Sequence, residues 1–99
     1  MLESISALST SSGQKYLVQM CKHFAHKIEV RYSDRHGDCR FARGVALMDA
    51  DETGLRINVR AADEEGLMQT QSIIERHLVR FAFREKLTAL DWRRQETTD

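Results

Sequence analysis

The chain has no proline, only five glycines and two cysteines, and no net charge: 15 basic residues stand against 15 acidic ones. Each shortage excludes something. Charge balance excludes the long basic surface of a dedicated duplex-binding protein, and equally an acidic tail. No hydrophobic run approaches the ~18 residues that a membrane span needs. The first residues, MLESISALSTSSG, are polar and lack a basic start, so no signal peptide is expected. Small secreted domains usually carry two or more disulfides. Two cysteines and no export signal therefore predict a cytoplasmic setting, with Cys21 and Cys39 as free thiols. No G-x-S-x-G, phosphate-binding loop or dinucleotide fingerprint is present. Cys21 and His23 diverge by roughly 160° on a helical wheel, too far for a thiolate–imidazole pair.

What is present suits one modest core. The 99 residues are 41% hydrophobic, too apolar for a disordered chain and too few for a second domain. The expectation is one domain over 1–99, ordered from about 2 to 92, with 93–99 frayed. Residues 2–8 read as an edge strand. Ser9 to Ser12 supply N-cap candidates for a helix from Gly13 to His26 with its stripe at Leu17, Met20, Cys21 and Phe24. Cys21 there reads as a small core hydrophobe.

Alternation then takes over. Ile28, Val30 and Tyr32 share one face of a strand, and residues 33–38 read as a turn. Cys39, Phe41, Val45 and Leu47 share parity on a second strand, with Gly44 as a bulge. Asp51 to Gly54 form a turn, and Leu55, Ile57, Val59 and Ala61 make the cleanest strand. Asp63 caps a second helix that runs to Phe83 or Glu85, striped by Leu67, Ile74, Leu78 and Phe81 and interrupted by Gln71. The expected fold is α+β: a two-layer sandwich of one antiparallel sheet of four strands, or five with the tail. Both helices lie on one face, in the order β-α-β-β-β-α.

Cations and histidines gather toward the two helix ends. His23 and His26 lie roughly 60° apart on the first wheel. His77, Arg80 and Arg84 line one flank of the second. If the helices lie side by side, Lys22, His23, His26, Lys27, His77, Arg80 and Arg84 border one groove. Three readings stay open. His23, His26 and His77 suit a transition metal such as iron or zinc. Imidazolium and guanidinium groups together suit a carboxylate, a phosphate or a metal chelate. Cations in a last helical turn also simply cap carbonyls and offset the dipole, with no cofactor at all.

Two surfaces are weaker candidates. Arg31, Arg40, Arg56 and Arg60 share the open face of the sheet, but no aromatic platform joins them, which disfavours single-stranded nucleic acid. Met68, Val79 and Phe83 form a minor apolar stripe on the second helix that fits a homodimer, unless Leu90 and Trp92 fold back over it.

The segments CKHFAHK (21–27) and HLVRFAFRE (77–85) resemble the two signatures of a bacterial family known as domain of unknown function 2218. KYL (15–17), FARG (41–44), GLRINVRAAD (54–63) and Trp92 follow the same order, so the likeness runs from about 14 to 92. FARG departs from the family's form, which has proline in place of Ala42. The resemblance implies a small stand-alone cytoplasmic protein of unassigned activity. The resemblance also implies a gene that often neighbours iron- or siderophore-uptake genes, which adds slight weight to the metal reading. The family brings no catalytic residues. The resulting expectation is a small binding protein holding a metal, a metal chelate or an anion in the His/Arg groove. The alternative is a homodimeric interaction or regulatory module, and a distant third is an enzyme using histidine as an acid–base catalyst.

Overall fold

A computed structural model describes residues 1–95. The chain runs β1 (Leu2–Ser9), α1 (Gly13–Phe24), β2 (Glu29–Tyr32), β3 (His36–Arg40), β4 (Val45–Ala50), β5 (Gly54–Ala61), α2 (Glu64–Phe81), a short 3-10 turn (Phe83–Glu85) and β6 (Arg93–Gln95). The strands form one antiparallel sheet in the order β2-β3-β4-β5-β1-β6. The α+β architecture with two helices is as expected, and the sheet has six strands rather than four or five.

The extra strands have identifiable origins. The stretch expected as one bulged strand is a hairpin. The Phe41 N–H donates to the Gly44 carbonyl at 2.8 Å and closes the turn between β3 and β4. That turn reverses the parity. Ala46, Met48 and Ala50 face the helices and are buried, while Val45 and Leu47 fall on the open face. The preceding turn is correspondingly shorter, and His36 already pairs across to Asp49. At the other edge, residues 93–95 were expected to fray, yet they pair with β1, Glu3 opposite Gln95 and Ile5 opposite Arg93. Arg94 adds a bidentate pair to Glu64 at 2.6 and 2.7 Å. Residues 96–99, the remainder of the expected frayed tail, lie outside the described residues.

Both helices pack on the sheet face that carries Leu55, Ile57, Val59 and Ala61, and all four of these are buried. The α1 stripe of Leu17, Met20, Cys21 and Phe24 is buried as the 3–4 spacing requires, with Tyr16 beside it. On α2, Leu67, Ile74 and Leu78 are buried and Phe81 is half-buried. The gap in that stripe is filled by Thr70 rather than left open at Gln71. Its hydroxyl donates to the Gly66 carbonyl at 2.8 Å, so a fully buried polar atom is satisfied. Asp63 caps α2 by accepting from the Gly66 N–H at 2.7 Å.

Gly13 opens α1 directly against the β4–β5 turn. A Cβ there would stand 2.6 Å from the Gly54 carbonyl oxygen, so only glycine lets the helix start this close to the sheet.

The tail returns along α2. The Glu75 carboxylate accepts from the Leu90 N–H at 3.0 Å and from the Trp92 indole N–H at 3.1 Å. Leu87, Leu90 and Trp92 pack against the core as half-buried groups. Met68 and Phe83 remain exposed at 63% and 67%, so the tail covers only part of the minor stripe on α2.

Candidate functional site

The helix ends do meet, though not with every predicted residue. α1 stops at Phe24, whose carbonyl accepts from the N–H groups of both Lys27 and Ile28, at 2.9 and 3.0 Å. The chain therefore wraps around Phe24 and brings Lys27 and Ile28 back beside the helix. α2 passes alongside. His23, Phe24, Lys27, Ile28, Phe41, Ile73 and His77 line a small pocket of about 200 Å³.

The His23 and His77 rings lie 4.8 Å apart, centroid to centroid, tilted by 46°. Phe24 presents an edge to His77 at 4.8 Å and to Phe41 at 5.1 Å. It also meets His23 at 5.6 Å. Such T-shaped arrangements are the favourable geometry for aromatic pairs. The His77 Nδ1 lies 2.7 Å from the Ile73 carbonyl, an acceptor only, so Nδ1 carries the proton. In the neutral ring this leaves Nε2 with the lone pair.

His23 sits below its ordinary pKa. Loss of water around its ring is the largest cause, followed by the charges of His77, Lys27, His26 and Arg80. Although the residue is largely exposed, aromatic edges of Phe24 and Phe81 flank the ring. The pocket therefore offers two imidazoles and a lysine ammonium over apolar walls, with more positive charge nearby. Such a set favours a negatively charged guest.

The seven expected groove residues divide as follows. His23, Lys27 and His77 line the pocket. Arg80 acts on His23 through its charge. Lys22 is exposed and lies outside the lining. His26 also lies outside it, although its charge, like that of Arg80, acts on His23: α1 has ended two residues earlier, so its position on a continued helix does not apply. Arg84 departs for the same reason on α2. The helix ends at Phe81, and the 3-10 turn carries the Arg84 guanidinium over the Phe83 ring, 5.7 Å from its centroid. Next to it, Glu85 accepts from the Thr10 hydroxyl at 2.9 Å. Glu85 also hydrogen-bonds Tyr16 and so pushes that phenol's pKa up, with burial adding to the effect. The 3-10 turn beyond α2 thus docks near the start of α1, away from His23.

The three-histidine metal set is accordingly not assembled. Among the described residues, no group of three or more His, Cys, Asp or Glu side chains converges on a point. Two imidazoles alone fall short of the three protein ligands typical of an open zinc site.

The apolar walls, Ile28, Phe41 and Ile73, were not among the predicted site residues. Phe41 was expected on the helix-facing side, and that parity was the available signal. A larger, open depression of about 490 Å³ lies on the other face of the sheet, around Ile5, Leu47, Asp49, Arg56 and Arg93. Its charged rim is already paired internally: Arg56 with Asp51, His36 with Asp49 and Arg93 with Asp91.

The family model for an uncharacterised protein conserved in bacteria, DUF2218, matches residues 6–93. The chain belongs to this family. The matched span contains residues 21–27 and 77–85 and every residue of the pocket. A DUF2218 chain of the present sequence is also similar in fold to PA4090 from Pseudomonas aeruginosa, solved by NMR. The TM-score is 0.80 at 29% identity, over 94% of this chain and 96% of that one. No curated protein matches the chain. Among the described residues, no helix is long and apolar enough to cross a membrane.

Proposed function

We propose that this DUF2218 protein is a small binding protein of the cytoplasm, without catalytic activity. It takes a compact anionic ligand at the His23–His77 pocket. The observation that carries this reading is the juxtaposition of the two rings, 4.8 Å apart, with Lys27 on the same lining. The pocket's volume is below the ~300 Å³ typical of drug-sized ligands. The guest is therefore a carboxylate or phosphate group with a short apolar portion, or the carboxylate edge of a metal chelate. The phenylalanine walls bury the apolar portion. Lys27 neutralises the charge, and a seated anion would offset the nearby cations that hold the His23 pKa down, drawing a proton onto its ring.

The experiment uses untagged protein, since a histidine tag would supply competing imidazoles. Citrate and phosphate are titrated while the melting temperature is followed. Ligand at 100 times its Kd adds about 2.7 kcal/mol of stability. The rise should vanish in a Lys27→Ala/His77→Gln double variant. No rise with either anion at millimolar concentration overturns the reading, and a rise with bare divalent ions instead would restore the metal reading.

A second reading, a homodimeric interaction module, draws on the exposed Met68 and Phe83. It requires melting that depends on protein concentration and loses that dependence in Phe83→Asp.

A further inference from the structure

Cys21 on α1 and Cys39 on β3 are both fully buried, and their sulfur atoms lie 3.9 Å apart. Both are free thiols. A disulfide needs a separation of about 2.05 Å, so the sulfurs must close by roughly 1.9 Å. Gly37 shares the helix-facing side of β3 with Cys39, and a Cβ there would stand only 2.8 Å from the Cys21 Sγ. The missing side chain is what lets the Cys21 sulfur reach over the strand. β3 is held on both sides, with Cys39 paired to Val30 and to Ala46, so α1 is the element free to adjust.

We propose that Cys21 and Cys39 are a built oxidation site, which a small hydroperoxide converts into an intramolecular disulfide. Neither thiol touches solvent, so an oxidant reaches them only through brief local openings of the core, and such openings select it by size. Hydrogen peroxide is close to water in size, whereas a bulky disulfide such as oxidised glutathione cannot reach either atom while the core is packed.

The chemistry balances. The Cys21 thiolate attacks one peroxide oxygen, the O–O bond breaks, and the departing hydroxide takes up a proton to become water. Cys21 is left as a sulfenic acid. The Cys39 thiol then gives up its proton and attacks that sulfur, and the hydroxyl leaves as a second water. Two thiols lose two electrons and one peroxide gains them. The hydrogen bond between the thiols favours these roles: it holds the Cys21 pKa down against the opposing effect of burial, whereas for Cys39 the hydrogen bond and burial both push the pKa up. The cross-link draws the end of α1 toward the sheet only two residues before His23.

The test treats the purified 99-residue chain with hydrogen peroxide at neutral pH. After quenching, the protein is unfolded, alkylated, digested and analysed by mass spectrometry. The expected product is a Cys21–Cys39 linked peptide pair lighter by two hydrogens, with no alkylated cysteine and full reversal by dithiothreitol. Met68, 63% exposed, supplies an internal control for oxidant dose through its sulfoxide. Two alkylatable cysteines in protein whose Met68 is oxidised would overturn the proposal. So would a sulfinic acid on either cysteine, or a disulfide between two chains. None of these readouts depends on the anion pocket.

Discussion

Removing the Glu75 carboxylate should untie the C-terminal tail. One oxygen, Oε1, accepts both the Leu90 N–H and the Trp92 indole N–H, at 3.0 and 3.1 Å. Hydrogen bonds to a charged partner contribute about 1.5–3 kcal/mol each. The two bonds share a single acceptor atom in a half-buried setting, so the low end applies and Glu75→Ala should cost about 2–3 kcal/mol. At roughly 4–8 °C per kcal/mol for a domain of this size, the melting temperature falls by about 10–20 °C. Glu75→Gln keeps an oxygen in nearly the same place but removes the charge. Neutral hydrogen bonds are about half as strong, and the cost should be about 1 kcal/mol. Urea unfolding followed by fluorescence checks both, because Trp92 is the only tryptophan and reports on the tail directly. Its emission should shift to the red in folded Glu75→Ala. A cost within about 0.5 kcal/mol of zero, or equal costs for alanine and glutamine, would refute the tether.

Other perturbations test other parts of the structure. Gly13→Ala forces a Cβ to 2.6 Å from the Gly54 carbonyl oxygen, and the urea midpoint should drop by the equivalent of about 1–3 kcal/mol; an unchanged midpoint would show that α1 can start farther from the sheet. Asp63→Ala removes the cap at the Gly66 N–H and should cost about 1 kcal/mol in the same assay, while Asp63→Asn should recover most of it. His23 is held below its ordinary value of 6.5, first by loss of water and then by the surrounding cations. Over that interval the unfolded chain binds more protons than the folded one. The contribution of His23 to stability is therefore intact above pH 6.5 and is lost as the pH falls through the folded-state value. NMR titration of the imidazole should show its pKa rising toward 6.5 in Lys27→Ala and in His77→Gln, and a pKa that moves in neither would contradict the assigned causes.

Much of the fold was legible because the local signals agreed with one another. Asp63 before two glutamates marks the start of α2, and the alternation from Leu55 to Ala61 marks β5; both stand where the pattern put them. The β3–β4 hairpin was not legible. On β3 the helix-facing positions are Gly37 and Cys39, too small to give a hydrophobic alternation, and the turn at Phe41–Gly44 lacks the Asn-Gly type of signal that marks a tight hairpin. Reading through that turn placed Val45 and Leu47 on the core side. β6 is wholly polar, and what orders it is its neighbour β1 and the Arg94–Glu64 pair, neither visible from Arg93 to Gln95 alone. The site shows the same limit. A helical wheel placed His23 and His77 correctly on facing flanks, because both lie inside their helices. It failed at His26 and Arg84, which lie beyond the last helical residue, where 100° per residue no longer describes the chain.

The pairing of β1 with β6 has a practical consequence. Glu3 sits opposite Gln95, so the two ends of the described chain lie side by side at one edge of the sheet. The His23–His77 pocket borders the β2–β3 edge, across the sheet order from β6. With neighbouring strands about 4.8 Å apart, the six-stranded sheet is roughly 24 Å wide from β2 to β6. A fluorophore, affinity handle or surface anchor attached after Gln95 would leave the molecule at the β6 edge, away from the pocket, whereas one at Met1 would leave beside Phe41, a wall of the pocket. Joining Gln95 to Met1 with a short linker and reopening the chain elsewhere, at the exposed residues 33–35 for example, would yield a circularly permuted protein with the same strand neighbours.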